Sequence, residues 1–186
     1  MARLIYLQNV ALDGYFEDAE GDFNWTEPDD ELFVFITDLV RPVGTYLYGR
    51  RLYETMAVWE TDPAFAAESD LMADFADVWQ TADKVVYSTT LETAFTARTR
   101  IERRFDPAAV RALKAAATGD LVIGGAELAA QAFGAGLVDE YHLLVRPVVL
   151  GAGRAALPLA RRVDLGLIEQ REVGNGVLSL RYDVRT

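Results

Sequence analysis

Gly124 and Gly125 stand between a short apolar run, Leu121 to Ile123, and a segment with helical spacing, Ala126 to Phe133. A strand that ends in paired glycines and opens a helix gathers backbone N–H groups at the helix N-terminus, where they can hold an anion. Glycine lets a ligand approach the backbone because it has no side chain. A tight turn is the ordinary alternative. A second strand end has the same form: Thr45 to Tyr48, then Gly49, then Arg50 and Arg51 at a helix start. A guanidinium binds phosphate bidentately and stays charged. At a third strand end, Ser88, Thr89 and Thr90 follow Tyr87 and supply three hydroxyls. Taken singly, the arginines also read as solvated helix residues and the hydroxyls as a turn. What joins them is their shared position at strand ends. The glycine pair suits a pyrophosphate, and arginines with hydroxyls suit a phosphomonoester. A phosphorylated dinucleotide carries both.

The other reactive side chains are sparse. Asp13 precedes Gly14 at the end of the first strand, and reads equally as a catalytic acid or as a turn residue bonding its own backbone. Asp30 and Glu31 read as substrate-binding acids or as a helix start, with Asp29 or Asp30 at the cap. Trp25, in the loop between these acids, could stack on a flat heterocycle or anchor the loop. The single histidine, His142, sits in a strand-like run. With no cysteine and one histidine, thiolate nucleophiles, Cys-ligated zinc and multi-histidine metal sites are excluded, so no metal is expected. No acid, base and nucleophile cluster emerges. Hydride transfer needs none, because the cofactor carries the chemistry. A nicotinamide reductase is the expectation.

The 186 residues carry 18 Lys and Arg against 29 Asp and Glu, a formal net charge of −11. That balance disfavours nucleic acid and anionic membranes, which select basic surfaces. Apolar residues make up 51% of the chain, enough for a sizeable core. No apolar run approaches the ~20 residues of a membrane span, and Met1 to Val10 is too short and polar for a signal peptide. The chain is therefore expected to be cytoplasmic and to form one domain over residues 1–186, acting on a small molecule.

These candidates need elements to hold them. Leu4 to Leu12 reads as strand one, with a loop following to Trp25. A helix runs to about Val40, with Leu32, Phe35, Ile36 and Leu39 on one face. Thr45 to Tyr48 is a strand and Arg50 to Met56 a helix. A long helix is expected over Ala64 to Gln80, a strand over Lys84 to Ser88, and a short strand near Thr99 to Glu102. Asp106-Pro107 starts another helix, with Asp at the cap and Pro at the first position. Glu140 to Val149 is a long strand, and Leu150 to Arg162 is weakly ordered. Leu167 to Val173 and Val177 to Val184 flank Gly174-Asn175-Gly176, a hairpin signal. Alternating strands and helices closed by a hairpin predict a three-layer α/β/α sandwich. Its central sheet is mostly parallel, with an antiparallel C-terminal edge.

Four segments bear a likeness. Ala11-Leu12-Asp13-Gly14-Tyr15 resembles a first-strand Ser-Leu-Asp-Gly signature, with Ala11 in place of serine. Leu47 to Glu54 is similar to a Gly-Arg-Arg-Thr-Tyr-Glu run, and Val122 to Leu128 to a strand-end glycine pair. Gly136 to Arg154 resembles a Leu-Val-Asp-Glu strand with a Gly-x-Gly-Arg loop. Together these segments resemble the dihydrofolate-reductase-like superfamily. Within it they resemble the C-terminal reductase domain of riboflavin-biosynthesis deaminase-reductases (RibD) and its stand-alone relatives. The resemblance implies NADPH as electron donor, with Gly49, Arg50, Arg51 and Ser88 toward the adenosine 2′-phosphate and Thr89 as a further cofactor contact. Gly124, Gly125, Ala126 and Glu127 would lie along the pyrophosphate. It also implies that Asp13 and Trp25 lie near the nicotinamide, with Asp30 a candidate for substrate binding. Reduction of 5-amino-6-(5-phosphoribosylamino)uracil is the nominal activity. Dihydrofolate reduction, or NADPH binding without turnover, are the other readings, and a homodimer through the C-terminal strands is an expected assembly.

Overall fold

A computed structural model of the chain describes residues 2–159 and 162–185. Met1, Thr186 and two residues of the 150–162 stretch thus lie outside it. In chain order the strands are β1 (Leu4–Ala11), β2 (Tyr15–Glu17), β3 (Val43–Gly49), β4 (Asp83–Tyr87), β5 (Thr99–Glu102), β6 (Asp120–Gly124), β7 (Glu140–Arg146), β8 (Arg154–Ala155), β9 (Leu165–Val173) and β10 (Val177–Val184). The helices are α1 (Asp30–Val40), α2 (Arg50–Met56), α3 (Val58–Thr61), α4 (Pro63–Ala66), α5 (Asp70–Thr81), α6 (Pro107–Ala116) and α7 (Ala126–Gly134).

Side-chain alternation in the strands sets the layers. Ile5, Tyr46, Tyr48, Val86 and Val122 enter one core, under α1, α2 and α5, with Tyr53, Phe75 and Trp79. Their strand neighbours Leu4, Tyr6, Leu47, Val85, Leu121 and Ile123 enter the other, with Val110 of α6 and Leu128, Ala129 and Phe133 of α7. Because both faces are covered, the inner strands carry near-continuous apolar runs, such as Leu4 to Leu7 and Leu121 to Ile123, rather than alternate ones. The resulting α/β/α sandwich has the dihydrofolate-reductase-like fold.

Among the described residues the main sheet has eight strands in the order β5-β4-β3-β6-β1-β7-β10-β9. From β5 to β7 every pairing is parallel. β10 then runs antiparallel to β7, and β9 antiparallel to β10. The C-terminal hairpin is therefore an antiparallel edge on a parallel sheet, as its Gly-Asn-Gly turn predicts. The turn docks on α1: Asp29 Oδ2 accepts from Asn175 N at 2.9 Å, while Asp29 Oδ1 caps the helix by accepting from Leu32 N at 2.9 Å. Leu32, Leu144, Val173 and Val177 close a small apolar cluster beneath that joint.

Three expectations need correction. The helix expected over Ala64 to Gln80 is two helices, because Ser69 accepts from Met72 N at 3.2 Å and starts α5 afresh. β7 stops at Arg146 rather than Val149, since Pro147 has no N–H to continue the ladder. Within the stretch expected to be weakly ordered, Arg154–Ala155 pairs with Tyr15–Glu17 as a separate two-stranded sheet.

Asp29, not Asp30, caps α1, so the two positions are separable. Asp29→Ala is expected to lower stability by about 1–2 kcal/mol, read as a lower urea midpoint at unchanged slope. Asp30→Ala, which removes only a first-turn charge, should cost well under ~1 kcal/mol.

Candidate functional site

β3 and β6 are neighbours, with Tyr48 beside Gly124. The helices that follow them diverge: α2 packs Tyr53 into one core and α7 packs Leu128 and Ala129 into the other. Adjacent parallel strands whose helices leave to opposite faces open a crevice beyond their carboxyl ends. The glycines of the crevice do different jobs. A Cβ on Gly124 would lie 2.4 Å from Leu52 Cδ2, so its bareness lets α2 pack against the strand. Gly125 has φ +93°, and a Cβ there would point toward Gly49 N at 3.6 Å. Asp29, Asp62, Ser69 and Asp106 cap α1, α4, α5 and α6 with their side chains, whereas α2 and α7 begin at Gly49 and Gly125 with no side-chain cap. The amides at the mouth of the crevice are left to a ligand or to water.

A cavity of about 670 Å³ fills this crevice. Gly49, Arg50, Arg51, Ser88, Thr89, Gly125, Ala126 and Glu127 all line it; Gly124 lies behind them in the strand. The wall adds residues that the sequence reading left out of the site: Arg103, Arg104 and Phe105 after β5, and Arg154 of β8. Five arginines, Arg50, Arg51, Arg103, Arg104 and Arg154, therefore surround one cavity of a chain whose net charge is −11. Such a local reversal of sign draws in an anion. Two of these arginines are built in. Arg50 is held by Glu54 Oε1 and by Thr90 Oγ1, both at 2.7 Å. Arg103 donates to the carbonyls of Ser88 at 3.1 Å and Leu91 at 2.7 Å. Ser88 Oγ accepts from Leu91 N at 2.9 Å, so this hydroxyl oxygen shapes the loop that forms the wall. Arg104 has no hydrogen bond or ion pair among the described residues, and the Arg51 side chain is 71% exposed with Glu17 at 3.8 Å. These two are free to close on a ligand.

The cavity continues. A second space of about 640 Å³ shares Arg51, Leu52, Gly125, Ala126 and Arg154 with the first. Phe16, Phe23 and Met56 give it apolar walls, and Gln8, Asn9, Glu17 and Thr26 give it polar groups. Glu17 arrives through the β2–β8 pair. Its side chain is 10% exposed, makes no hydrogen bond among the described residues, and has Arg51 and Arg154 each at 3.8 Å. Asn9 is held by Arg146, whose Nε donates to Asn9 Oδ1 at 3.1 Å. Arg146 also donates to the carbonyls of Thr26 and Glu27, and its burial pushes the guanidinium pKa down from its ordinary value.

Three candidate residues are placed outside both spaces. Asp13 Oδ2 accepts from Leu150 N at 3.0 Å and Gly151 N at 2.7 Å, tying two loops. Trp25 is half-buried, with an Nε1 that is enclosed and unpaired. Asp30 is exposed at the start of α1. Among the described residues no three or more His, Cys, Asp or Glu are grouped to hold a metal ion, and no helix is long and apolar enough to cross a membrane. His142 is remote from the crevice. It sits between Glu140, at 2.8 Å, and Arg181, and burial pushes its pKa down.

Residues 3–179, almost the whole chain, match the RibD C-terminal domain. The chain belongs to that family. A curated relative, the uncharacterized protein YyaP of Bacillus subtilis, is 26% identical over 97% of this chain and 94% of its own. Among solved structures, a proposed riboflavin biosynthesis protein of Shewanella sp. PV-4 aligns over the full length of both chains with a TM-score of 0.75 at 18% identity. A pyrimidine reductase-like protein of Corynebacterium diphtheriae gives 0.67 at 13% identity, covering 100% of this chain and 92% of that one. RibD of Acinetobacter baumannii gives 0.68 at 16% identity; this chain is matched in full and spans 59% of that protein. These likenesses show that the chain shares their fold.

An anion cradle with two loosely partnered guanidiniums makes a direct prediction. Inorganic pyrophosphate should bind the purified protein, and Arg104→Ala should weaken that binding roughly tenfold, the worth of one charge-assisted hydrogen bond. Arg41→Ala, which breaks a remote pair with Asp74, should leave it unchanged; calorimetric titration reads both.

Proposed function

We propose that this RibD-type chain is an NADPH-dependent reductase of a small nitrogen heterocycle, nominally of the 5-amino-6-(5-phosphoribosylamino)uracil reductase kind. The observation that carries the reading is the joining of two spaces of unlike character at Gly125 and Arg51. One is ringed by arginines and bare helix starts; the other has apolar and aromatic walls with a few polar groups. A dinucleotide with a terminal phosphate matches the first, and a flat ring matches the second.

The residues present fit NADPH. Gly49 and Gly125 stand at two amide-bearing turns, and the positive φ of Gly125, +93°, is one that a side chain would strain. Arg50, Arg104 and Thr89 offer charge and hydroxyl contacts suited to a 2′-phosphate. When bound, the cofactor supplies a hydride from its reduced nicotinamide. The chain's own residues bind, orient and exclude water: Phe16, Phe23 and Met56 wall the substrate space, and Leu52 separates it from the strand below. Glu17 and Glu54 are the acids that line this space; Glu54 is engaged by Arg50, so Glu17 supports substrate binding better, and better too than Asp13, whose carboxylate already serves two backbone amides. A homodimer is supported by the edge position of β9 and the exposed Leu167, Ile168 and Leu178 on the hairpin.

NADPH titrated into the protein should quench tryptophan fluorescence with at least about tenfold preference over NADH, the worth of a charge-assisted contact to the 2′-phosphate. Arg104→Ala should narrow that preference. The pyrimidine named above should then drive NADPH oxidation, followed by absorbance. Absence of binding at near-millimolar NADPH overturns the reading.

A further inference from the structure

Asn9, near the end of β1, lines the second cavity, and one of its two polar atoms is already committed. A guanidinium has donors only, so the atom of Asn9 that faces Arg146 Nε at 3.1 Å must be the carbonyl oxygen. That removes the usual ambiguity of an amide side chain. The NH₂ group is therefore turned away from Arg146. It has no partner among the described residues, yet it is not among the enclosed unpaired atoms, which are Trp25 Nε1, Tyr46 Oη and Glu60 Oε2. An open pair of N–H donors on a cavity wall awaits an acceptor.

The support for this geometry is costly. Arg146 is 8% exposed and makes no ion pair among the described residues; it rests on three neutral oxygens, those of Asn9, Thr26 and Glu27. Asp29 attracts this charge only from beyond ion-pair distance, so its burial is expensive. Here it fixes two things that border the cavity at once: the Asn9 carboxamide, and the backbone of the Asn24–Thr26 turn that brings Thr26 to the wall. An uncharged residue could fill the volume, but it could not orient an amide by donation alone.

We infer that Asn9 donates an N–H to a carbonyl oxygen or imine nitrogen of the ligand in the second cavity, and that Arg146 is the positioning residue that points it there. The inference rests on the reductase reading for its chemical consequence. Reduction of a C=O or C=N bond puts a hydride on carbon, from the reduced dinucleotide, which leaves oxidised. The π electron pair moves to the heteroatom, which takes its proton from solvent. A donor aimed at that heteroatom stabilises the charge it gains. The substrate class follows: a compound whose reducible or adjacent group is an acceptor, with N–H groups to meet Gln8 and Glu17. Gln8 Nε2 donates to the backbone carbonyl of Asn9 at 3.1 Å, which leaves Gln8 Oε1 as an acceptor on the same wall.

Uracil, with carbonyls beside N–H groups on a flat ring, is the probe. The chain has three asparagines and four glutamines, so its side-chain amides can be resolved by nitrogen NMR of the full protein. The Asn9 signal is the one lost in Asn9→Asp. That variant keeps an oxygen beside Arg146 and gains an ion pair, so it should fold, and circular dichroism checks that it does. Uracil should shift the Asn9 amide, and Asn9→Asp should weaken uracil binding at least tenfold while NADPH affinity stays within about twofold. In Arg146→Lys the Asn9 amide should broaden or split and uracil affinity should fall. Failure of uracil to bind, or binding that leaves the Asn9 signal in place, overturns the inference whether or not NADPH binds. An unchanged Asn9 signal and uracil affinity in a folded Arg146→Lys protein overturns the positioning role. Failure of NADPH alone to bind instead removes the cofactor reading and leaves Asn9 to be judged on uracil.

Discussion

The divergence of α2 and α7 from the adjacent strands β3 and β6 is the constraint on which the rest of the molecule depends. Two parallel neighbours must send their helices to opposite faces if both faces of the sheet are to be covered. The strand ends then stand apart, and the space between them cannot be filled by either helix. Gly124 and Gly125 make that parting tight: one admits Leu52 against the strand, and the other takes a left-handed conformation at the helix start. Everything that lines the cavities is positioned relative to this opening.

Charge follows from the same opening. A chain with an excess of acids can still hold an anion if its arginines are brought to one place. Here five are gathered from three separate stretches: after β3, after β5, and on β8, with the β4 loop as the floor that Arg103 ties down. The ion pairs elsewhere are mostly exposed and contribute little to stability. At the crevice, Arg104 has no ion pair among the described residues and Arg51 only a distant one with Glu17.

The small sheet of β2 and β8 does a second job. It folds the loop after β1 back over the crevice and delivers Glu17 and Arg154 to the boundary of the two spaces. Gly153 permits this contact, since a Cβ there would meet Glu17 O at 1.9 Å. Arg146 holds the Asn24–Thr26 turn, so the second space is bounded by the β2–β8 pair and by a pinned turn.

Much of this was legible in the chain. Apolar periodicity marks the strands and helices, because burial on two faces demands it of β1, β3, β4 and β6. Turn chemistry marks the C-terminal hairpin at Gly174-Asn175-Gly176 and the caps at Asp106 and Asp29. Strand-end glycines followed by helix starts mark the crevice, and eight of the nine expected cofactor contacts line it, because that local pattern already fixes which way the backbone amides face. What only the tertiary structure decided is which distant residues join them. Arg103, Arg104 and Arg154 lie in stretches with no periodic signal, and Glu17 and Asn9 are ordinary polar residues of short strands until the sheet register aims them. Asp13, Trp25 and Asp30 had the right chemistry at the right distance along the chain, but the carboxylate of Asp13 is spent on backbone amides and the other two line neither cavity. Local sequence sets backbone conformation over a few residues; the meeting of side chains far apart in sequence is set by strand order and register, which no single stretch encodes.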